Sequence, residues 1–466
     1  MKPTSTSALP DYRSQSLWLD TAPDALEPRS PLEEDLQVDL AIVGAGYTGL
    51  WTAYYLNSLE PSLRIAIVES EIAGFGASGR NGGWVLGETM GIEHYFADPA
   101  ERERGIALQR ALFDAVDEIG RISQAEGIDC HYAKGGTLAV ATVEPHRRQL
   151  QERLNELRGL GFGSDDYRWL EPEACRARIH TERNLGGVYS PHCAVIQPAL
   201  LARGLADRVE AAGIRIFERS PATAIEPRAV VTPLGRLRAD LILDATEGYT
   251  RDLPGRRRRL LPIHSMMIAT EPLPDSVWKE IGLAERETFA DPRRIVIYGQ
   301  RTADGRIAFG GRGRYFLGSR YRNRFSERDP NFDQIRATLV SLFPVLRDAR
   351  ITHRWGGPLG VPRDWKISVG IDRKAGLAWG GGYVGEGVCA SNLVGRTLAD
   401  LILERDSAYA RLCFVRPPFG NWEPEPLRWL TVRGITKIGM QIDRAELSGR
   451  VPPRWKRSLF RWAAGR

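Results

Sequence analysis

Gly44, Gly46 and Gly49 stand directly after the apolar run 40–43 and directly before a helical stretch. Glycines at this spacing and junction suit a pyrophosphate. Gly44 lets the chain turn off the strand, Gly46 leaves the backbone bare for close approach, and Gly49 lets the helix pack on the sheet. The helix start, with Tyr47 and Thr48, offers unpaired N–H groups and the positive end of a dipole. A second apolar run, 63–68, ends in Glu69, twenty positions beyond Gly49. An acid there holds a ribose and favours a free 2′-hydroxyl, as in FAD or NAD, over a 2′-phosphate.

A second loop, Gly74-Phe-Gly-Ala-Ser-Gly-Arg-Asn-Gly-Gly-Trp84, holds five glycines in eleven positions. Such a backbone lies close to something. Between the glycines, Ser78, Arg80 and Asn81 supply donors for phosphates or a polyol. This loop, and a later glycine segment at 380–387, disfavour a nicotinamide enzyme.

These groups need a sheet behind them. Residues 38–69 read as a βαβ unit. Residues 100–125 read as a helix, with Ile106, Leu108, Leu112, Phe113, Val116 and Ile119 at helical spacing. A strand at 136–141 precedes a charged helix at 145–160. Pro198 is placed to open a helix, and strands follow at 214–218 and 237–245. The runs 263–269, 295–298 and 307–309 suit an antiparallel sheet. A helix at 333–342, a strand at 377–383 and a helix at 391–403 complete the pattern. The expected organisation is an N-terminal arm (1–35, loosely structured, tucked in by Trp18 and Leu19), a discontinuous nucleotide domain (36–125, 186–255 and 366–405), a substrate domain (126–185 and 256–365), and a C-terminal extension (406–466).

With 466 residues, two domains are the natural expectation. The composition, 42% hydrophobic and 26% charged, is that of a globular protein. The net charge of +6 is modest, and basic and aromatic residues do not interleave as a nucleic-acid surface would require. The run 256–259 is four arginines, expected to be a solvated loop. Five scattered cysteines, without C-x-x-C, argue against disulfides and against a metal site. The absence of an apolar leader or a bilayer-length apolar run suggests the cytoplasm.

The motifs Gly44-Ala-Gly-Tyr-Thr-Gly49, Glu69 and Gly76-Ala-Ser-Gly-Arg-Asn-Gly-Gly83 resemble the FAD-dependent D-amino-acid oxidase (DAO) superfamily. Within it they are most similar to γ-glutamylputrescine oxidases and glycine- or sarcosine-oxidase-like amine oxidases. Asp244-Ala-Thr-Glu-Gly-Tyr249 and Gly381-Gly-Tyr-Val-Gly-Glu-Gly-Val388 agree. The resemblance runs from about residue 36 to 405. It implies an α/β fold: an FAD-binding Rossmann-like domain with an inserted α+β antiparallel-sheet substrate domain. Gly44, Gly46 and Gly49 would cradle the pyrophosphate, and Glu69 the ribose. Ala77, Ser78, Arg80, Asn81, Gly82 and Gly83 would line the flavin's phosphates and ring edge. Ala222 would meet the adenine, and Ala245 and Thr246 belong to the second dinucleotide-domain turn. Gly382, Tyr383, Gly385 and Gly387 would aim N–H groups at the pyrimidine end, which gains negative charge on reduction. Non-covalent FAD is expected, with Cys389 the alternative attachment point. Glu386 stands where many relatives carry histidine; it would either attract a cationic amine or face solvent.

On the substrate side, Tyr298, Arg312 and Trp355 from the inserted domain join Trp84, Tyr383 and Glu386 as candidates to shape catalysis. Aromatic walls exclude water, and an arginine forks onto a carboxylate. His264 reads as a satisfied core histidine. The resemblance implies oxidation of an amine or amino-acid C–N bond by hydride transfer to flavin N5, imine hydrolysis and reoxidation by O2. The alternatives are a dehydrogenase using a quinone or carrier (on an amine or a 2-hydroxy acid), and a non-catalytic flavin-binding partner module. The extension, with Trp422, Trp429, Trp455 and Trp462, is expected to pack its tryptophans on the body and leave its arginines in water, in preference to contacting a membrane.

Overall fold

In the computed structural model, which describes residues 10–463 apart from the side chain of Arg312, two eight-stranded sheets organise the chain. The main path of the first runs Ser368–Asp372, Leu377–Gly381, Arg236–Asp244, Leu36–Val43, Ile65–Val68, Arg215–Phe217. Leu36–Val43 pairs in parallel with Arg236–Asp244 and with Ile65–Val68. A parallel sheet is covered on both faces, so its strands lose polar alternation; all of Ile65–Val68 is buried. The helices Tyr47–Leu59 and Gly387–Ile402 cross at Gly395, where a Cβ would stand 2.6 Å from Trp51 Cβ. This brings the two glycine-rich helix starts into one region.

The second sheet runs Ile351–Val361, Leu261–Thr270, Ile307–Arg314, Ile297–Arg301, Thr288–Ala290, Thr137–Val140, Gly187–Ser190, Arg168–Leu170. Its pairs are antiparallel except Thr288–Ala290 with Thr137–Val140. The helix Pro330–Leu342 covers one face over a core that includes Phe289, Phe309, Phe332 and Phe343. The α/β fold with an antiparallel insertion is therefore as expected. Gly187–Ser190 fell within the expected nucleotide segment 186–255, but it pairs into the second sheet. Cys193–Val195 pairs with Trp84–Leu86 as a separate ribbon.

From residue 10 onward the N-terminal arm is packed, not loose. Tyr12, Leu17, Trp18 and Leu19 are buried, and Trp18 Nε1 donates to Asn81 O at 2.8 Å. The arginine run is engaged too: Arg256 pairs with Asp244, and Arg258 Nε donates to Trp422 O at 2.6 Å. The extension forms two helices, Leu427–Leu447 and Arg454–Ala463. Phe460 of the second closes onto Gly439 of the first. Asp443 latches the pair to the body by accepting the N–H groups of Arg294 (2.6 Å) and Ile295 (2.9 Å). The expected tryptophan packing holds for Trp422, which is buried with Nε1 donating to Val361 O at 2.8 Å. It fails for Trp455 and Trp462, which are exposed, while Arg428 is the buried residue. All five cysteines are unbridged. Among the described residues no helix is long and apolar enough to cross a membrane.

Candidate active site

The turn after Leu36–Val43 is built as its glycines require. Gly44 takes φ +110°, the left-handed side that L side chains rarely adopt. A Cβ on Gly49 would sit 2.1 Å from Gly44 O, so only hydrogen lets the helix close on the turn. Gly46 is extended at the helix N-cap. Ser78 reaches back across it, its Oγ accepting Tyr47 N–H at 2.9 Å. Glu69 folds over the same turn: one oxygen accepts Ala45 N–H at 2.9 Å and the other Glu71 N–H at 3.0 Å. Burial pushes its carboxyl up from the usual range.

A single cavity extends from this turn. Glu69, Pro221 and Ala222 line one end; Gly44, Gly46, Tyr47, Thr48, Ala77, Ser78, Asn81, Ala245 and Thr246 line the middle; Tyr383, Gly385, Gly387, Val388 and Ser391 line the far end. The far end is the start of the helix Gly387–Ile402, so its dipole is positive where the cavity closes. Thr48 Oγ1 and Tyr383 OH, 2.6 Å apart, tie the two helix starts together.

Glu247 holds the far end in place, a role that its sequence position does not reveal. One of its oxygens accepts the N–H groups of Gly382 (2.9 Å) and Tyr383 (3.1 Å), and the other accepts Gly360 N–H at 2.7 Å. Burial pushes its carboxyl up to about 7 against these three donors. The Gly382 and Tyr383 N–H groups expected to face a flavin therefore face Glu247. The start of the helix at Gly387 and Val388 supplies the positive field instead.

Comparison with known proteins agrees with this geometry. A family model described as DAO, FAD dependent oxidoreductase, matches residues 39–401. The chain belongs to the DAO family. It is 28% identical over 404 residues to gamma-glutamylputrescine oxidoreductase of Escherichia coli strain K12, covering 83% of this chain and 89% of that one. It is 30% identical over 383 residues to a probable oxidoreductase OrdL of Rhizobium meliloti, covering 80% and 84%. The crystal structure of glycine oxidase from Geobacillus kaustophilus superposes with a TM-score of 0.69 at 20% identity, covering 82% of this chain and all of that one.

As a DAO-family member the protein is an oxidoreductase whose cofactor is FAD, and the residues present fit that group. An acid stands at one end of the cavity, bare glycines and Ser78 in the middle, and a positive helix end at the other. Cys389 is not placed for covalent attachment: its thiol is buried and donates to Leu112 O at 3.3 Å.

Not every expected residue reaches the cavity. Arg80 is buried beneath it, bonded to Tyr249 OH and donating from Nε to Gly76 O at 3.2 Å. Gly82 and Gly83 serve sheet packing: a Cβ would stand 2.6 Å from the Tyr298 ring at Gly82 and 2.1 Å from Gln300 Nε2 at Gly83. Trp84 and Tyr298 meet edge to face behind those glycines, and Tyr298 OH pairs with Ser265 Oγ at 2.6 Å. Trp355 is buried against Trp18, with Nε1 donating to Arg80 O at 3.0 Å. Trp84, Tyr298 and Trp355 thus frame the second glycine loop without lining the cavity. Glu386 occupies the N-cap position of the helix Gly387–Ile402, and its side chain is not among those lining the cavity. The side chain of Arg312 lies outside the described residues. His264 is the expected core histidine: Nε2 accepts Arg322 N–H at 2.9 Å, and burial pushes its pKa down to about 4.

Tyr249, Tyr321, Asn323, Leu359 and Tyr383 are also among the residues that face the cavity. Of these only Tyr383 was anticipated. Tyr249 and Tyr321 meet edge to face at 5.0 Å, and Tyr249 OH donates to Asn323 Oδ1 at 2.8 Å. Tyr249 adjoins the strand end at Asp244, a position that could have drawn attention to it. Tyr321 and Asn323 lie in an irregular segment without periodicity.

Proposed function

We propose that the protein oxidises the C–N bond of an amine or amino acid. The observation that carries this reading is the cavity's order: Glu69 at one end, bare glycines in the middle, and a tyrosine-lined space beside the start of the helix Gly387–Ile402 at the other. The names of two relatives, gamma-glutamylputrescine oxidoreductase and glycine oxidase, support a substrate that carries an amine. Bound FAD would supply the two-electron acceptor for a hydride from the carbon next to nitrogen.

The chain's own residues do the rest. Tyr249, Tyr321 and Tyr383 give the substrate carbon an aromatic wall and exclude water. A low-dielectric wall disfavours the ammonium form, so the amine is bound with its lone pair free. The Tyr249–Asn323 pair presents polar edges that orient a substrate amine or carboxylate. Arg80, bonded to Tyr249, fixes that phenol. In this reading the first sheet carries the cofactor and the second shapes the substrate side. The product imine takes up water to give a carbonyl compound and a freed amine, and O2 takes the two electrons as hydrogen peroxide.

The test is anaerobic mixing of the yellow holoprotein with a panel of amines, amino acids and 2-hydroxy acids. Bleaching of the visible flavin band by amines, with peroxide formed on admitting air, is expected. Bleaching by 2-hydroxy acids alone would refute the reading.

A further inference from the structure

The helix Arg454–Ala463 has two apolar sides. One faces inward, where Phe460 packs with Ile442 and Gly439 of the helix Leu427–Leu447. The other is formed by Trp455, Leu459 and Trp462. Their i, i+4, i+7 spacing puts them on one stripe. This stripe is uncovered: Trp455 is 60% exposed, Leu459 37% and Trp462 73%. Packing on the body does not explain it, because Phe460 already performs that role from the opposite side.

The charge around the stripe is one-sided. Residues 427–463 hold nine basic and two acidic residues, and of the nine only Arg428 is buried, paired with Glu425 just before the span. The two acids, Asp443 and Glu446, are buried and engaged at Arg294, so they do not offset the exposed cations. Arg454 and Arg461, both exposed, flank the stripe. Tryptophan settles at the headgroup level of a bilayer, and cations there gain from anionic headgroups. A flat anionic surface matches a convex stripe of this kind, whereas a protein partner would have to supply a fitted groove.

We propose that Arg454–Ala463 seats the enzyme on an anionic phospholipid bilayer, with Trp455, Leu459 and Trp462 at headgroup depth. The helix lies on the surface: ten residues reach only about 15 Å, half of a hydrocarbon core.

Co-sedimentation of the full-length holoprotein with phosphatidylcholine vesicles, with and without phosphatidylglycerol, tests this. Partition onto the anionic vesicles should exceed that onto neutral ones by at least about tenfold and fall when salt screens the charges. The double variant Trp455→Ser with Trp462→Ser should lower it by at least about tenfold, with flavin absorbance and thermal unfolding unchanged. Arg454→Glu with Arg461→Glu, which keeps the stripe, should weaken binding in the same direction. Equal partition onto both vesicle types, no partition onto either, or full binding by the tryptophan variant overturns the proposal. So does a lipid-free dimer that the tryptophan variant abolishes, which would assign the stripe to a second copy of the chain.

Discussion

Glu69 and Glu247 are both half-buried carboxylates that accept backbone N–H groups, and they give different predictions. Glu69 closes the first turn and lines the cavity, and we propose that it holds the adenosine ribose. Glu69→Ala should weaken FAD binding by about 1.5–3 kcal/mol, the range of a hydrogen bond to a charged group. Fluorescence titration of apoprotein with FAD reads this directly, and an unchanged Kd would remove the ribose assignment. Glu247 instead joins Gly360 to Gly382 and Tyr383. A glutamine offers one acceptor oxygen and sets an amide N–H against one of these donors, so Glu247→Gln should cost about 1–3 kcal/mol. Its pH dependence has a definite sign. The folded pKa is about 7 against 4.5 in the unfolded chain, so between these values the folded state keeps a proton that the unfolded state has released. The group's contribution is full below pH 4.5 and is lost as pH rises through about 7. The stability of wild type minus that of Glu247→Gln, from urea unfolding, should therefore fall as pH rises through that window and level off above it. A flat difference would mean that the carboxyl stays ionised throughout.

At the scale of elements, two glycines separate a tight approach from an ordinary one. A Cβ on Gly49 would meet Gly44 O at 2.1 Å, so Gly49→Ala must push the helix Tyr47–Leu59 off the turn. We expect a loss of about 1–3 kcal/mol, together with reduced FAD occupancy. Gly434, within Leu427–Leu447, has nothing within 4 Å of its Cβ position. Gly434→Ala should stabilise that helix by about 0.5–1 kcal/mol. Thermal unfolding and the flavin-to-protein absorbance ratio of both variants check the contrast. The same local logic made the first turn legible in sequence, since strand, glycines and helix are contiguous there. The strand Ile351–Val361 was not legible, because Gly356-Gly-Pro-Leu-Gly360 has the composition of a loop. It survives as a strand because it lies at the sheet edge, where proline costs no ladder partner. Glu247, Tyr321 and Asn323 were illegible for another reason: what they touch comes from distant segments, and no spacing rule links those positions. Trp355 and Tyr298 misled because an aromatic residue in a sheet reads the same whether it faces a cavity or packs behind a glycine loop.

For the whole molecule, the family match ends at residue 401, while the chain continues through a helical pair held to the second sheet's side of the body. Its polar attachment includes Asp443 with the backbone of Arg294 and Ile295, and Glu446 with Arg294 at 3.2 Å, beside the packing of Val432 and of Arg428 over Tyr315. Burial pushes both carboxyls up, which marks them as enclosed by protein. Asp443→Ala would strand two N–H groups at a cost of about 1–3 kcal/mol. Because the latch lies outside the cavity, this cost should fall on the helical pair and not on the flavin site. Trypsin should then cleave within residues 433–457 faster than in wild type, while the urea midpoint followed by flavin release stays unchanged. A parallel fall in flavin retention would instead show that the extension and the cofactor domain open as one cooperative unit, and the pair would then belong to the catalytic body.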